Sequence, residues 1–195
     1  MAITKKLLTF TALAAFAFPA FSEDAPKFDD HLLGDMGGLR NKLANDGIDF
    51  TVEYKGDFWR NSSGGAKQAN AYNDNLDLKA AIDGEKAFGI QGNKALIYFI
   101  NNFGTKPNAR EVGSTQGVDN IEPGINTFKL YEAWMDQSFL DNKLSVLVGL
   151  HDLNSEFYLT DNSSNFIKPS FQIGQDFAQS GQNGPSIFPT TSLVS

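Results

Sequence analysis

No cysteine occurs in this chain, and histidine occurs only twice. Without thiols there is no disulfide framework, no Cys-ligated zinc and no thiol nucleophile. Two histidines leave a His-based zinc site short of ligands. Basic side chains are in the minority, with 16 Lys and Arg against 23 Asp and Glu, for a formal charge of -7. That balance argues against nucleic acid as a partner, because nucleic acid requires clustered Lys and Arg. Long apolar runs are also missing. After Ser22 no window reaches the roughly 20 apolar residues that a membrane-spanning helix needs. The G-x-S-x-G motif of a serine nucleophile is absent. The chain therefore reads as a non-enzyme, with no cofactor and no metal.

What is present begins with an export signal. "MAITKKLLTFTALAAFAFPAFS" carries Lys5 and Lys6, then an apolar run from Leu7 to Phe18, then small residues at Ala20 and Ser22. This is the layout of a secretory signal peptide, so 1–22 is expected to be removed by cleavage before Glu23. The mature chain, 23–195, keeps 14 basic and 23 acidic side chains, a net of -9. An exported chain without a helical span is either soluble or a β-barrel. The barrel is the other structure that pairs every backbone group in lipid.

The mature chain opens with a polar lead, Glu23 to Asp30, and then "HLLGDMGGLRNKLANDG". Here Asp35 can cap a short helix, Leu39 and Leu43 share a face, and Gly47 ends it. From Ile48 the period changes to two. Ile48, Phe50, Val52, Tyr54, Gly56 and Phe58 alternate with Asp49, Thr51, Glu53, Lys55, Asp57 and Trp59. That is a strand with one apolar and one charged face, ended by a turn over Asn61 to Gly65. "NLDLKAAID" repeats the pattern, and "GEKAFGIQGNK" reads as a link or turn. "ALIYFINNFG" is a third strand, apolar on both faces until Asn101. A loop runs from Thr105 to Gly124. "INTFKLYEAWMDQSF" is a fourth strand whose faces are mixed, because Phe128, Leu130 and Trp134 share parity with Glu132 and Asp136. Asn142–Lys143 suits a tight turn. "KLSVLVGLHDL" is a fifth strand, with Leu144, Val146, Val148 and Leu150 on one face, and a sixth is expected around Phe166 to Ile173. Strands of about nine to eleven residues, alternating in polarity and joined by unequal turns, suit a transmembrane barrel. A soluble sandwich alternates too, with the apolar face in its core, so the pattern alone leaves both open.

Particular stretches carry a further signal. "LLGDMGGLRNKLANDGIDFTVEYKGDFWRNSSGG", "LYEAWMDQSF", "DNKLSVLVGLHDLNSEF" and "SFQIGQDFAQSGQNGPSIFPTTS" occur in this order and cover most of the mature chain. Together they resemble the OprB-type carbohydrate-selective porin family. The resemblance implies an all-β fold, part of a transmembrane antiparallel β-barrel of sixteen strands in the bacterial outer membrane. It also implies passive diffusion of sugars, glucose-type monosaccharides above all. In such porins the Gly/Pro-rich stretch is an internal connection, so residues 23–195 are expected to be the N-terminal portion of a longer barrel. The partners then expected are small saccharides and outer-membrane lipid, with a homo-oligomer possible.

The candidate sugar contacts lie on the polar face of the first strand and at the end of the fifth. Asp49, Glu53, Lys55 and Asp57 would line the lumen and exchange hydrogen bonds with sugar hydroxyls. Trp59 shares that face and offers a ring for a pyranose to stack on; as a strand-end aromatic it also suits an interfacial girdle. In "HDLNSEF", Asp152, Asn154 and Glu156 are candidates for a polar constriction. Asp and Asn there would equally serve turn bonding. The alternative reading of the whole is a soluble exported β-sandwich that binds carbohydrate, with Leu76, Leu78, Ile82, Val146 and Val148 in a dry core.

Overall fold

The computed structural model describes Phe28 and residues 31–115, 117–156, 162, 165–167 and 192–194. The export signal and residues 180–191 of the Gly/Pro-rich stretch lie outside the described residues. The elements run α1 (Leu39–Asn45), β1 (Ile48–Arg60), β2 (Asn70–Asp83), α2 (Gly84–Phe88), β3 (Asn93–Gly104), a π-helical turn (Asn108–Val112), β4 (Thr127–Phe139), β5 (Leu144–His151), a 3-10 turn (Leu153–Ser155) and β6 (Ser192–Val194). The strands form one sheet in sequence order, each antiparallel to the next. No helix among the described residues is long and apolar enough to cross a membrane.

Several expectations need correction. Asp35 does not occupy the N-cap of α1; that position is Gly38, whose backbone is left-handed. Asp35 instead reaches forward, its Oδ1 accepting from the Asn41 amide at 2.9 Å. The connection "GEKAFGIQGNK" holds a short helix, α2, because the Asp83 carboxylate accepts from the amides of Glu85 and Lys86 and caps it. Phe166 and Ile167 are not in a strand; the rest of that expected sixth strand lies outside the described residues. The sixth strand present is Ser192–Val194, paired to β5.

The sheet is inside out by the standard of a soluble protein. On β2, Asn73 is 0% exposed and Asp77 2%, and on β4 Glu132 is 7% exposed. Phe58 is 84% exposed, Phe128 57% and Val148 48%. Strand register explains this, because directly opposed residues share a face. Glu53 faces Asp77, and Lys79 faces both Thr51 and Tyr98, so one side collects the polar residues of neighbouring strands. Phe50, Val52, Leu78, Ile97, Phe99 and Val148 fall on the other. Apolar side chains of this size forfeit roughly 1.5–3 kcal/mol each when left in water rather than buried. Among the described residues no second layer covers them, so the dry sandwich core expected at Val146 and Val148 is not formed; Val146 is 40% exposed.

The mixed faces of β4 have a local cause. Tyr98 pairs with Glu132 and Phe99 with Leu130, leaving Tyr131 without a partner on β3. This one-residue bulge shifts the alternation. Phe128 and Leu130 therefore turn to the apolar side, while Glu132, Trp134 and Asp136 turn to the polar side.

The connections gather at the two ends of the sheet. Residues 84–92 and 140–143 close one end; the latter turn holds Leu140, Asp141 and Asn142 in left-handed backbone. Residues 61–69 and 105–126 occupy the other end and are fastened together. The Asn61 side-chain amide donates to the carbonyls of Gly64, Lys67 and Glu111, and the Glu111 carbonyl also accepts from the amides of Ala66 and Lys67. Within 105–126, the Glu122 carboxylate accepts from the amides of Asn108 and Ala109.

Candidate functional site

The polar face carries a continuous hydrogen-bond network across β1, β2 and β3. The Lys55 ammonium donates to Asp77 Oδ2 at 2.9 Å and lies 3.3 Å from Glu53 Oε2. Asp77 Oδ1 accepts from the Tyr98 hydroxyl at 2.8 Å and from the Asn75 amide at 3.0 Å. The Asn75 amide also donates to Asn102 Oδ1 at 2.8 Å. Asp77 is thus an acceptor for three different donors, which suits an ionised carboxylate with little access to water. Lys79 places its ammonium 4.6 Å from the centre of the Tyr98 ring, and the Tyr98 and Tyr131 rings meet edge to face at 5.1 Å.

A second cluster forms where β5 ends. His151 lies between two carboxylates, with Nδ1 2.9 Å from Glu132 Oε2 and Nε2 2.6 Å from Glu156 Oε1. Glu132 Oε2 also accepts from the Trp134 indole at 3.0 Å and the Asp152 amide at 3.3 Å. The Asp152 carboxylate accepts from the Tyr131 hydroxyl at 2.5 Å. Because Tyr131, Glu132 and His151 belong to the polar face, the turn 152–156 lies over that face rather than outside the sheet.

A third cluster sits at the long-loop end. Asp119, on the loop between β3 and β4, accepts from the Trp59 indole at 2.9 Å and the Asn73 amide at 2.7 Å, and its carboxyl meets that of Asp57. Trp59 is therefore held on the polar face.

The expected site residues are distributed among these clusters. Glu53 and Lys55 join the first, Asp152 and Glu156 the second, Asp57 and Trp59 the third. Asp49 stands apart at the start of β1, in a recess with Phe28, Met36, Leu39, Arg40, Leu43 and Phe50. Asn154 is in the 3-10 turn, and its side chain lies outside the described structure. His151 and Asp152 do not form a catalytic pair, since each is bonded to other groups. Sequence reasoning overlooked Asp77, Tyr98, Glu132 and Asp119. Asp77 was legible from the parity of β2, which repeats that of β1. Glu132 was hidden by the bulge, and nothing local in the loop marks Asp119.

No group of three or more His, Asp or Glu side chains among the described residues could hold a metal ion. The arrangement supplies donors and acceptors at close range along one face of the sheet, beside aromatic rings. Such a wall can bind polyhydroxylated solutes weakly and let them go.

Known proteins were compared with this chain. Residues 67–194 match the family of carbohydrate-selective porins, OprB family. Porin B of Pseudomonas aeruginosa is 27% identical over 151 residues, which cover 74% of this chain and 32% of that protein. Putative porin QuiX of Acinetobacter baylyi is 27% identical over 169 residues, covering 79% of this chain and 37% of that protein. The chain thus spans about a third of the length of these curated relatives. Pseudomonas putida OprB, in a structure described as a high pH form, is similar in fold, with a TM-score of 0.66 and 24% identity over 78% of this chain and 37% of that one. From its matched residues, the chain belongs to the OprB family of carbohydrate-selective porins.

Proposed function

We propose that this chain forms the N-terminal part of an outer-membrane β-barrel through which small sugars, glucose-type monosaccharides in particular, diffuse down their gradient. The observation that carries the reading is the inverted sheet: charged and amide side chains lie on the enclosed face, and aliphatic and aromatic ones on the uncovered face. Hydrocarbon is the solvent that such an outer face fits. In this orientation the longest described connection, 105–126, lies with 61–69 on the extracellular side, and 84–92 and 140–143 lie on the periplasmic side. Residues 1–22 direct export, and residues 23–195 supply the first strands.

Selectivity for neutral sugars follows from the pairing on the wall. Lys55 with Glu53 and Asp77, and Lys79 with Tyr98, present both signs at short range. A sugar hydroxyl both donates and accepts, so it can replace water at such pairs without an uncompensated charge. Tyr98, Tyr131 and Trp59 add ring faces and edges for the C–H surface of a pyranose. Weak affinity is required, since a solute that cannot leave cannot permeate.

The test is planar-bilayer recording with the full-length porin that carries this segment. Channels whose ion current is reduced by millimolar glucose, and less by a disaccharide, support the proposal; channels indifferent to sugars overturn the substrate class. A second measurement addresses the barrel itself. Spin labels at Phe50, Leu78 and Val146 should report lipid contact, and dry packing at those positions would sink the pore reading.

A further inference from the structure

The second cluster contains a group that the sugar-binding reading does not use. His151 is 2% exposed, and both of its ring nitrogens face carboxylate oxygens, at 2.9 Å and 2.6 Å. A neutral imidazole has a single N–H. With only one proton, the ring would set a bare nitrogen against a carboxylate oxygen, lone pair against lone pair. An imidazolium donating to both carboxylates, or a neutral ring that donates to one and accepts from the other in its protonated form, satisfies both contacts, and either ties the ring to Glu132 and to Glu156. Its partners differ in kind. Glu132 is part of β4 and is fixed by two further donors, the Trp134 indole and the Asp152 amide. Glu156 lies beyond the strand, on the turn that crosses the polar face. The ring thus ties the turn to the strand wall.

We infer that His151 is a positioning residue: clasped between Glu132 and Glu156, it holds the turn 152–156 against the inner wall and so sets the width of the passage there. This rests on the reading of the polar face as a pore lining. The Asp152 carboxylate of the same turn accepts from the Tyr131 hydroxyl, and its amide donates to Glu132. The titratable groups around the clasp are Glu132, Tyr131 and Asp136 on β4 and Asp152 and Glu156 on the turn. Asp136 interacts electrostatically with both Glu156 and Lys94 of β3. The near end of the turn is then held by Tyr131 and the far end by the His151 ring.

The experiment compares single-channel conductance of the full-length porin with that of three variants. His151→Ala and Glu156→Ala cut the clasp and should both change the conductance by about twofold in the same direction. Glu156→Gln keeps a hydrogen bond to the ring, because the imidazole can donate to Glu132 and accept from the new amide, and should retain the wild-type conductance. Wild-type conductance in His151→Ala or in Glu156→Ala, or a Glu156→Gln conductance that follows Glu156→Ala, overturns the inference. If His151→Ala fails to assemble, Glu156→Gln and Glu156→Ala still decide it. Absence of any channel from the wild type would instead overturn the pore reading on which it depends.

Discussion

At the scale of single residues, two positions test the wall most directly. Gly149 lies opposite Trp134 with φ +139°, and a Cβ there would stand 2.3 Å from the Ala133 carbonyl oxygen and 2.6 Å from the Trp134 Cα. Backbone atoms cannot give way as a side chain can. Gly149→Ala is expected to cost about 1–3 kcal/mol, the usual range for overpacking, seen as a lower denaturant midpoint of the folded barrel in detergent. Lys55 is the only cation bonded to Asp77 among the described residues. Lys55→Met leaves Glu53 and Asp77 without their shared countercharge, so the channel should become more cation-selective. A reversal potential that does not move in a salt gradient would count against Asp77 facing the permeation path.

At the scale of elements, the outward face and the bulge each make a prediction. Val148→Arg puts a cation on the uncovered face of β5 and should destabilise the membrane-inserted barrel by about 2–4 kcal/mol, while Ser145→Arg, on the polar face, should cost little. Equal costs at both sites would contradict the assigned faces. Deleting Tyr131 sets Glu132 directly after Leu130, so plain alternation keeps Phe128 and Leu130 on the apolar side and Glu132 and Trp134 on the polar side. That variant should still assemble into a heat-modifiable species, and failure to assemble would count against the bulge at Tyr131. These elements also mark how far the sequence could be read. β1 and β2 were plain, because every residue from Ile48 to Trp59 keeps its parity with no insertion. β4 was opaque, because its alternation slips by one residue at Tyr131, and parity cannot locate a bulge without knowing its partner strand. The clusters were legible only in part. Glu53 and Lys55 advertise themselves on one strand. Their union with Asp77 and Tyr98 depends on register, and the placing of Asp119 depends on a loop folding back over the wall.

At the scale of the whole molecule, the decisive quantity is the number of unpaired backbone groups. The described sheet runs from β1 to β6 without β1 pairing to β6, so its edges carry open donors and acceptors. Arg40 covers one of them, donating to the Phe50 carbonyl at 3.3 Å. In hydrocarbon each uncovered group costs several kcal/mol. Residues 23–195 expressed alone should therefore give no channels in bilayers and no heat-modifiable band, whereas the full-length protein gives both. A stable channel from 23–195 would require a closure that the strand order does not contain. The fastening of residues 61–69 to 105–126 through Asn61 and Glu111 bears on kinetics. If these loops border the mouth of the proposed pore, two segments braced in this way would not open and close as a lid, so capture should follow simple diffusion. Uptake should then rise in proportion to external solute until the interior saturates, with no lag on a sudden increase in concentration.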